Sequence, residues 1–355
     1  MRPLPSGVTA ETVDTDRLKT YTLSSGGSDG IPVVFVHGNV SSGRFYAELM
    51  ASLPEGVSAW APDLRGYGKT EAKPIDATRG VRDFADDIGA FLDAQGIGTA
   101  ERPVHLVGWS VGGGVVMQVA IDRPEGIASL TLEAPMSPFG FGGTKDNDGT
   151  VCHDDGAGAG GGLANPDFVK RLRDDDRSAD ADTSPRNILR AFYVEPSFSL
   201  EKDLEDAYVD SMLQMTVSDD AYPGDAAASE NWPMAAPGTR GTNNAISAKY
   251  CDLSGFADID PRPPVLWIRG ENDLIVSDNS MFDAGALGKL GAIPGWPGED
   301  VMPPQPMIGQ TRNVLDRYAN RGGSVTEEVL PTCGHSPHIE HADRFRELLL
   351  KHIGA

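Results

Sequence analysis

One serine, Ser110, stands between glycines in the segment Gly-Trp-Ser-Val-Gly at residues 108–112. An apolar run at residues 103–109 precedes it, and an apolar run of helical length at residues 115–121 follows it. Glycines two positions before and after a serine allow a sharp turn from strand to helix, which holds the hydroxyl above a sheet. The pattern therefore predicts that Ser110 is a nucleophile rather than an ordinary turn residue.

A nucleotide-binding loop is the competing interpretation of this glycine-rich segment. The dinucleotide pattern needs glycine where Ser110 stands, and the P-loop needs Gly-Lys followed by Ser or Thr. The chain instead has Gly113-Gly114-Val115. Neither nucleotide pattern is present, which favours covalent catalysis by the serine.

A serine hydroxyl needs a base that takes its proton. His335 follows the apolar run at residues 324–331 by a short loop, so it is expected at the same sheet edge as Ser110. The other candidates are His37, at the end of a predicted strand, and His338 and His341, which lie close to His335. Three further histidines are expected to be structural or solvated: His105, His153 and His352.

The imidazole in turn needs a carboxylate that fixes its tautomer. Asp273 lies in a loop after the predicted strand at residues 263–270, which gives the chain order Ser, Asp, His. Glu133, near the end of another predicted strand, is the alternative acid. Two backbone N–H groups should bind the oxyanion: that of Val111, and that of Asn39 or Val40.

Six short apolar runs closed by turn residues predict buried strands at residues 31–38, 57–63, 103–109, 127–134, 263–270 and 324–331. Amphipathic stretches at residues 81–97 and 342–353 predict helices. This alternation predicts an α/β fold with a mostly parallel sheet covered on both faces. The alternation stops between residues 136 and 258, so we expect a mainly helical cap there, with the core formed by residues 1–135 and 259–355. A second insertion, rich in proline and glycine, spans residues 285–310.

The charge of the chain excludes one class of partner. Acidic residues outnumber basic residues by 52 to 30, for a formal net charge of −22, which is the wrong sign for nucleic acid. The acidic, lysine-poor composition indicates either a host with a salty cytoplasm or a high-GC genome. Three scattered cysteines, no signal-peptide pattern and no apolar run long enough for a bilayer predict a cytoplasmic protein without a membrane partner.

The chain resembles serine hydrolases of the α/β-hydrolase fold superfamily, over residues of about 30–135 and 260–353. The motifs that carry the likeness are HGN, PDLRGYGKT, GWSVGG, RGENDLIV and CGHSPHIE. The resemblance implies Ser110 as nucleophile, Asp273 as acid, His335 as base, and Val111 with Asn39 as oxyanion donors. It also implies that the cap lies between the sixth and seventh core strands. Haloalkane dehalogenases and epoxide hydrolases of this fold use an aspartate nucleophile, so Ser110 argues against both.

The expected reaction is hydrolysis of a carboxylic ester or lactone through an acyl-serine intermediate, without a metal or an organic cofactor. The expected partner is a small, largely apolar substrate molecule. Three alternatives stay open: a carbon–carbon bond hydrolase acting on β-diketones, a cofactor-free perhydrolase or haloperoxidase, and a hydrolase-fold receptor that binds a small ligand with little turnover. The sequence indicates neither the physiological substrate nor the oligomeric state.

Overall fold

A single sheet of eight strands organises the computed structural model, which describes residues 2–27 and 29–355. Along the sheet the strands lie in the order β1-β2-β4-β3-β5-β6-β7-β8. The strands are β1 (Val8–Asp14), β2 (Lys19–Ser25), β3 (Ile31–Val36), β4 (Val57–Pro62), β5 (Val104–Trp109), β6 (Ile127–Glu133), β7 (Val265–Gly270) and β8 (Val325–Leu330).

The six predicted strands are confirmed as β3 to β8, and all of their pairings with one another are parallel. The sequence reading missed β1 and β2, which pair antiparallel with each other, while β2 also pairs antiparallel with β4. Because β5, β7 and β8 run in the same direction, the residues that follow them meet at one edge of the sheet.

Helices cover both faces of the sheet. They are α1 (Ala47–Ala51), α2 (Arg82–Gln95), α3 (Val111–Asp122), α4 (Pro166–Arg173), α5 (Pro185–Ile188), α6 (Lys202–Leu213), α7 (Thr242–Ala245), α8 (Ala284–Lys289), α9 (Met307–Asn320), α10 (Pro337–Glu340) and α11 (Ala342–Ile353). Within the described residues, no helix is long and apolar enough to cross a membrane.

Two hydrophobic cores result from the two-residue period of the strands. In β3, Val34 packs into the core that contains Phe84 of α2. The next residue, Phe35, packs into the opposite core, with Phe345 of α11. Burial on both faces explains why the inner strands are continuous apolar runs.

Residues 134–264 connect β6 to β7, the sixth and seventh strands of the sheet. The longest elements of this interval are α4 and α6, and it also contains the short strand pairs Val217–Ser218 with Tyr222–Pro223 and Ala226–Ala228 with Ala235–Pro237. Its apolar side chains belong to the same two cores as the sheet. The division into a core and a cap at residues 136–258 stays a prediction.

Candidate active site

Ser110 occupies the turn between β5 and α3 with φ 56° and ψ −118°, a left-handed conformation that residues other than glycine rarely adopt. Its backbone N–H donates to the carbonyl oxygen of Glu133 at 3.0 Å. A Cβ on Gly108 would lie 2.4 Å from the Gly112 oxygen, and a Cβ on Gly112 would lie 2.1 Å from the Val36 oxygen. Both flanking glycines are therefore required by the tight passage of the chain.

His335 and Asp273 are brought together from the loops after β8 and β7. The distance from His335 Nδ1 to Asp273 Oδ2 is 2.8 Å, and both side chains are buried. Asp273 Oδ1 accepts the N–H groups of Ile275 at 2.7 Å and Val276 at 3.0 Å, which fixes the carboxylate. Because a carboxylate only accepts, Nδ1 carries the proton in the neutral imidazole, and Nε2 is left as the acceptor.

Trp109 fastens the histidine loop to the turn that carries Ser110. Its indole Nε1–H donates to the carbonyl oxygen of His335 at 2.7 Å, and the two ring centroids are 5.6 Å apart. Ser110 is 7% exposed and His335 is 2% exposed, so the site is nearly closed to solvent. In the described part of the chain the Ser110 hydroxyl forms no hydrogen bond, so proton transfer to His335 would follow rotation of the hydroxyl or substrate binding.

The predicted oxyanion donors lie beside the serine. A Cβ on Gly38 would be 3.5 Å from Ser110 Oγ, which places the loop after β3 against the nucleophile. The N–H of Val111 belongs to the first turn of α3, where no carbonyl of the helix can accept it. Of the two donors left open by the sequence, Val40 already donates to Asn39 Oδ1 at 3.0 Å. Across the described residues the Asn39 N–H has no such partner, so the geometry favours Asn39.

Glu133, the alternative acid, bonds a different histidine. Its Oε1 accepts the backbone N–H of His338 at 2.8 Å and lies 2.6 Å from His338 Nδ1. Its Oε2 accepts the Tyr46 hydroxyl at 3.2 Å, and the carboxylate is fully buried. The structure thus places Glu133 with His338 and Asp273 with His335.

His37 braces the loop that carries Asn39. Its Nε2 accepts the backbone N–H of Leu64 at 2.9 Å, so its Nδ1–H donates to the carbonyl oxygen of Gly38 at 2.8 Å. Burial lowers the pKa of His37 to about 4. The ring is therefore neutral at pH 7, and both of its nitrogens are used in hydrogen bonds that fix the loop.

Tyr193, which is not among the predicted site residues, also contacts this site. Its hydroxyl donates to the carbonyl oxygen of Asn39 at 2.8 Å, and its ring lies 5.8 Å from that of Trp109 and 6.3 Å from that of His335. Burial raises the pKa of Tyr193 well above its ordinary value, which keeps the hydroxyl a donor. The contact joins residues 154 positions apart, and no local pattern indicates such a pair.

A family model described as "Alpha/beta hydrolase family" matches residues 33–348. The chain belongs to the α/β-hydrolase family. The first three curated relatives are matched over 32%, 36% and 39% of their own lengths, so the chain spans about a third of each. One of them is the "Lipase LipV" of Mycobacterium tuberculosis, 38% identical over 103 residues, or 29% of this chain and 36% of the lipase.

Two further proteins match across most of the α/β-hydrolase chain. The "2-hydroxy-6-oxo-6-phenylhexa-2,4-dienoate hydrolase" of Burkholderia cepacia is 24% identical over 327 residues, covering 90% of this chain and 87% of that enzyme. The crystal structure of the carboxylesterase CesB (YbfK) from Bacillus subtilis has a TM-score of 0.60 at 16% identity, and covers 99% of this chain and 93% of that one. The structural likeness shows a common fold.

Proposed function

We propose that this α/β-hydrolase is a serine esterase that cleaves carboxylic esters or lactones through an acyl-serine intermediate. The observation that carries the proposal is the pairing of His335 with Asp273 at 2.8 Å, at the same sheet edge as the strained turn of Ser110. A nucleophile, a base with a fixed tautomer and two free backbone donors are the groups that acyl transfer requires.

In the proposed reaction, Ser110 Oγ attacks the ester carbonyl carbon while His335 Nε2 takes the hydroxyl proton. The oxyanion of the tetrahedral intermediate accepts the N–H groups of Asn39 and Val111, and Asp273 stabilises the imidazolium. His335 then gives the proton to the departing alkoxide. Water, activated by the same histidine, attacks the acyl-serine and releases the acid.

A small, largely apolar acyl group suits the walls of the site. The buried rings of Trp109 and Tyr193 contact each other, with centroids 5.8 Å apart, and lie 5.6 Å and 6.3 Å from the ring of His335. Binding of an apolar group against such rings is favourable because it removes apolar surface from water and leaves no buried polar atom without a hydrogen bond.

Carbon–carbon bond hydrolysis is a second candidate, favoured by the match to the Burkholderia cepacia hydrolase over 90% of this chain. The same serine, histidine and oxyanion donors would act on a β-diketone or vinylogous substrate. A panel of aryl esters, lactones and 2-hydroxy-6-oxo-dienoates separates the two, because the better substrate class has the higher kcat/KM.

The decisive test replaces the nucleophile. Ser110→Ala should lower kcat on the order of 10⁴-fold or more and abolish labelling by a serine-directed phosphonate. Ser129→Ala is a matched control, because Ser129 is a buried serine on β6 whose hydroxyl lies 2.8 Å from Nδ1 of another histidine, His105. This control should keep both activity and labelling. Labelling elsewhere, with activity surviving in Ser110→Ala, would refute the mechanism.

A further inference from the structure

Three consecutive residues, Tyr193 to Glu195, contact both loops that carry catalytic groups. At one end the Tyr193 hydroxyl donates to the carbonyl oxygens of Asn39 at 2.8 Å and Val40 at 3.3 Å. These carbonyls belong to the loop after β3, which carries Asn39, the proposed oxyanion donor. We name residues 193–195 the bridging segment.

At its other end, the bridging segment reaches the loop of His335 through the carboxylate of Glu340. The N–H of Glu195 donates to Glu340 Oε2 at 2.7 Å. The N–H of Gly334 is 3.0 Å from each oxygen of the same carboxylate, and the N–H of Ser336 donates to Oε1 at 3.3 Å. Glu340 therefore holds the peptide groups on both sides of His335.

The backbone of the bridging segment also lies directly on the histidine loop. A Cβ on Gly334 would be 2.6 Å from the Glu195 nitrogen and 2.8 Å from the Val194 carbonyl carbon. Glycine is needed here for close approach of two backbones. Close backbone packing and hydrogen bonding thus independently show that the bridging segment contacts the loop that carries His335.

The backbone conformation of residues 189–194 allows the bridging segment to reach both loops. Residues Leu189–Tyr193 form a π-helical turn, and Val194 then leaves it with extended φ and ψ of −124° and 159°. Such turns are rare and concentrate at functional sites. The abrupt change from a wide turn to an extended chain lets Tyr193 point to one loop while Glu195 faces the other.

We propose that Tyr193 and Glu340 are positioning residues, which use the bridging segment to hold the oxyanion donor Asn39 and the base His335 at a fixed separation. The inference rests on the proposed function. Tyr193 acts through the carbonyl oxygen of Asn39, and Glu340 acts through the N–H groups of Gly334 and Ser336, the two neighbours of His335. Because the bridging segment lies within residues 136–258, the predicted cap contributes to the catalytic geometry.

The test compares two substitutions with two matched controls. Tyr193→Phe removes only the hydroxyl, and Tyr318→Phe removes an equivalent buried bond, from a phenol to the Pro263 carbonyl oxygen at 2.6 Å. Glu340→Gln puts an amide nitrogen against backbone N–H groups. Asp283→Asn is the control for replacing a buried carboxylate by an amide, because Asp283 Oδ2 accepts the N–H groups of Ala286 at 3.0 Å and Gln305 at 3.2 Å and the amide oxygen can keep both bonds.

Four quantities are measured for each variant: kcat, KM, the rate constant of phosphonylation of Ser110, and Tm. Tyr193→Phe should lower kcat and the phosphonylation rate constant by about 3- to 10-fold, the worth of one hydrogen bond. Glu340→Gln should lower both by about 10- to 100-fold, because small displacements of a base are costly. KM should change by less than about twofold, and the double variant should lose less than the product of the single losses. Both controls should keep the wild-type kcat.

Several results would overturn the inference. One is a Tyr193→Phe enzyme with the wild-type kcat. Another is a rise in KM with unchanged kcat in Tyr193→Phe or Glu340→Gln. A third is a loss of kcat in the control variants in proportion to their loss of Tm, because kcat would then follow stability alone. If Glu340→Gln does not fold, Tyr193→Phe decides alone, since it removes a single oxygen. Failure of the proposed function looks different: the wild-type enzyme would then neither cleave esters nor carry the phosphonate on Ser110.

Discussion

Asp273→Asn is expected to lower kcat by about 10⁴-fold with the fold intact. The side chain keeps its shape, but an asparagine has only one acceptor oxygen where Asp273 uses both. Oδ1 accepts the N–H groups of Ile275 and Val276, and Oδ2 faces His335 Nδ1. Two backbone donors outweigh one ring donor, so the amide oxygen takes the Oδ1 position and the amide NH₂ turns to the histidine.

The magnitude follows from the tautomer. With an NH₂ group opposite, His335 Nδ1 must accept, and the ring proton moves to Nε2, which can then take no proton from Ser110. In the serine protease template this change lowers kcat about 10⁴-fold. At about 1.36 kcal/mol for each factor of ten, the loss is about 5.4 kcal/mol of transition-state stabilisation.

Glu133→Gln is the matched comparison, because Glu133 is also a buried carboxylate paired with a histidine. Its amide can keep the oxygen on the His338 N–H and donate from nitrogen to the Tyr46 oxygen. The loss of one charge-assisted hydrogen bond should cost about 1–3 kcal/mol of unfolding free energy. We expect kcat to fall by less than about tenfold, because Glu133 does not contact His335.

The assay is steady-state hydrolysis of one aryl ester by both variants, with circular dichroism and urea unfolding as checks of folding. If folded Glu133→Gln loses about 10⁴-fold and Asp273→Asn loses little, the acid role belongs to Glu133. That outcome would refute the assignment drawn from the 2.8 Å contact.

Two further predictions concern charge. With a net charge of −22, Tm should rise between low and molar sodium or potassium chloride if the surface is adapted to salt, and a flat or falling Tm would favour the genome-composition explanation. The pKa of His37 is about 4 in the folded protein against an ordinary 6.5, so protonation favours the unfolded chain. His37 should therefore leave stability unaffected above pH 6.5 and remove up to about 3 kcal/mol as the pH falls to 4, and its NMR signals should stay those of neutral imidazole from pH 8 to 5.

The inner part of the fold could be predicted because its physics is local. Strands buried on both faces must be apolar throughout, and β3 and β5 show such runs. By contrast, β1 lies at the sheet edge with most of its residues exposed, so Val8–Asp14 has no apolar run that would reveal it. Burial, rather than backbone preference, was the signal.

In the candidate site, too, some features could be predicted from local sequence and others could not. The conformation of Ser110 could be predicted because the strand, the glycines and the helix that determine it are adjacent in sequence. Asp273 and His335 each follow a predicted strand by a short loop, which is enough to predict that both lie at the sheet edge of Ser110. The choice between Asp273 and Glu133 depends on side-chain direction between separate loops, which no spacing encodes. The contact of Tyr193 with Asn39 depends on how a long insertion folds back, and is likewise beyond a local pattern.

The order of strands in the sheet has a consequence for how activity arises during folding. Ser110 follows β5 and Asp273 follows β7, and only β6 separates these strands in space, although residues 134–264 intervene between β6 and β7 in the chain. Parallel pairing between such distant segments must wait for slow loop closure. A partly folded molecule with the β3–β5 pair formed and β7 and β8 not yet paired has no acid or base near Ser110. In a refolding experiment, the return of catalytic turnover therefore reports completion of the sheet, whereas the return of the helical circular dichroism signal does not.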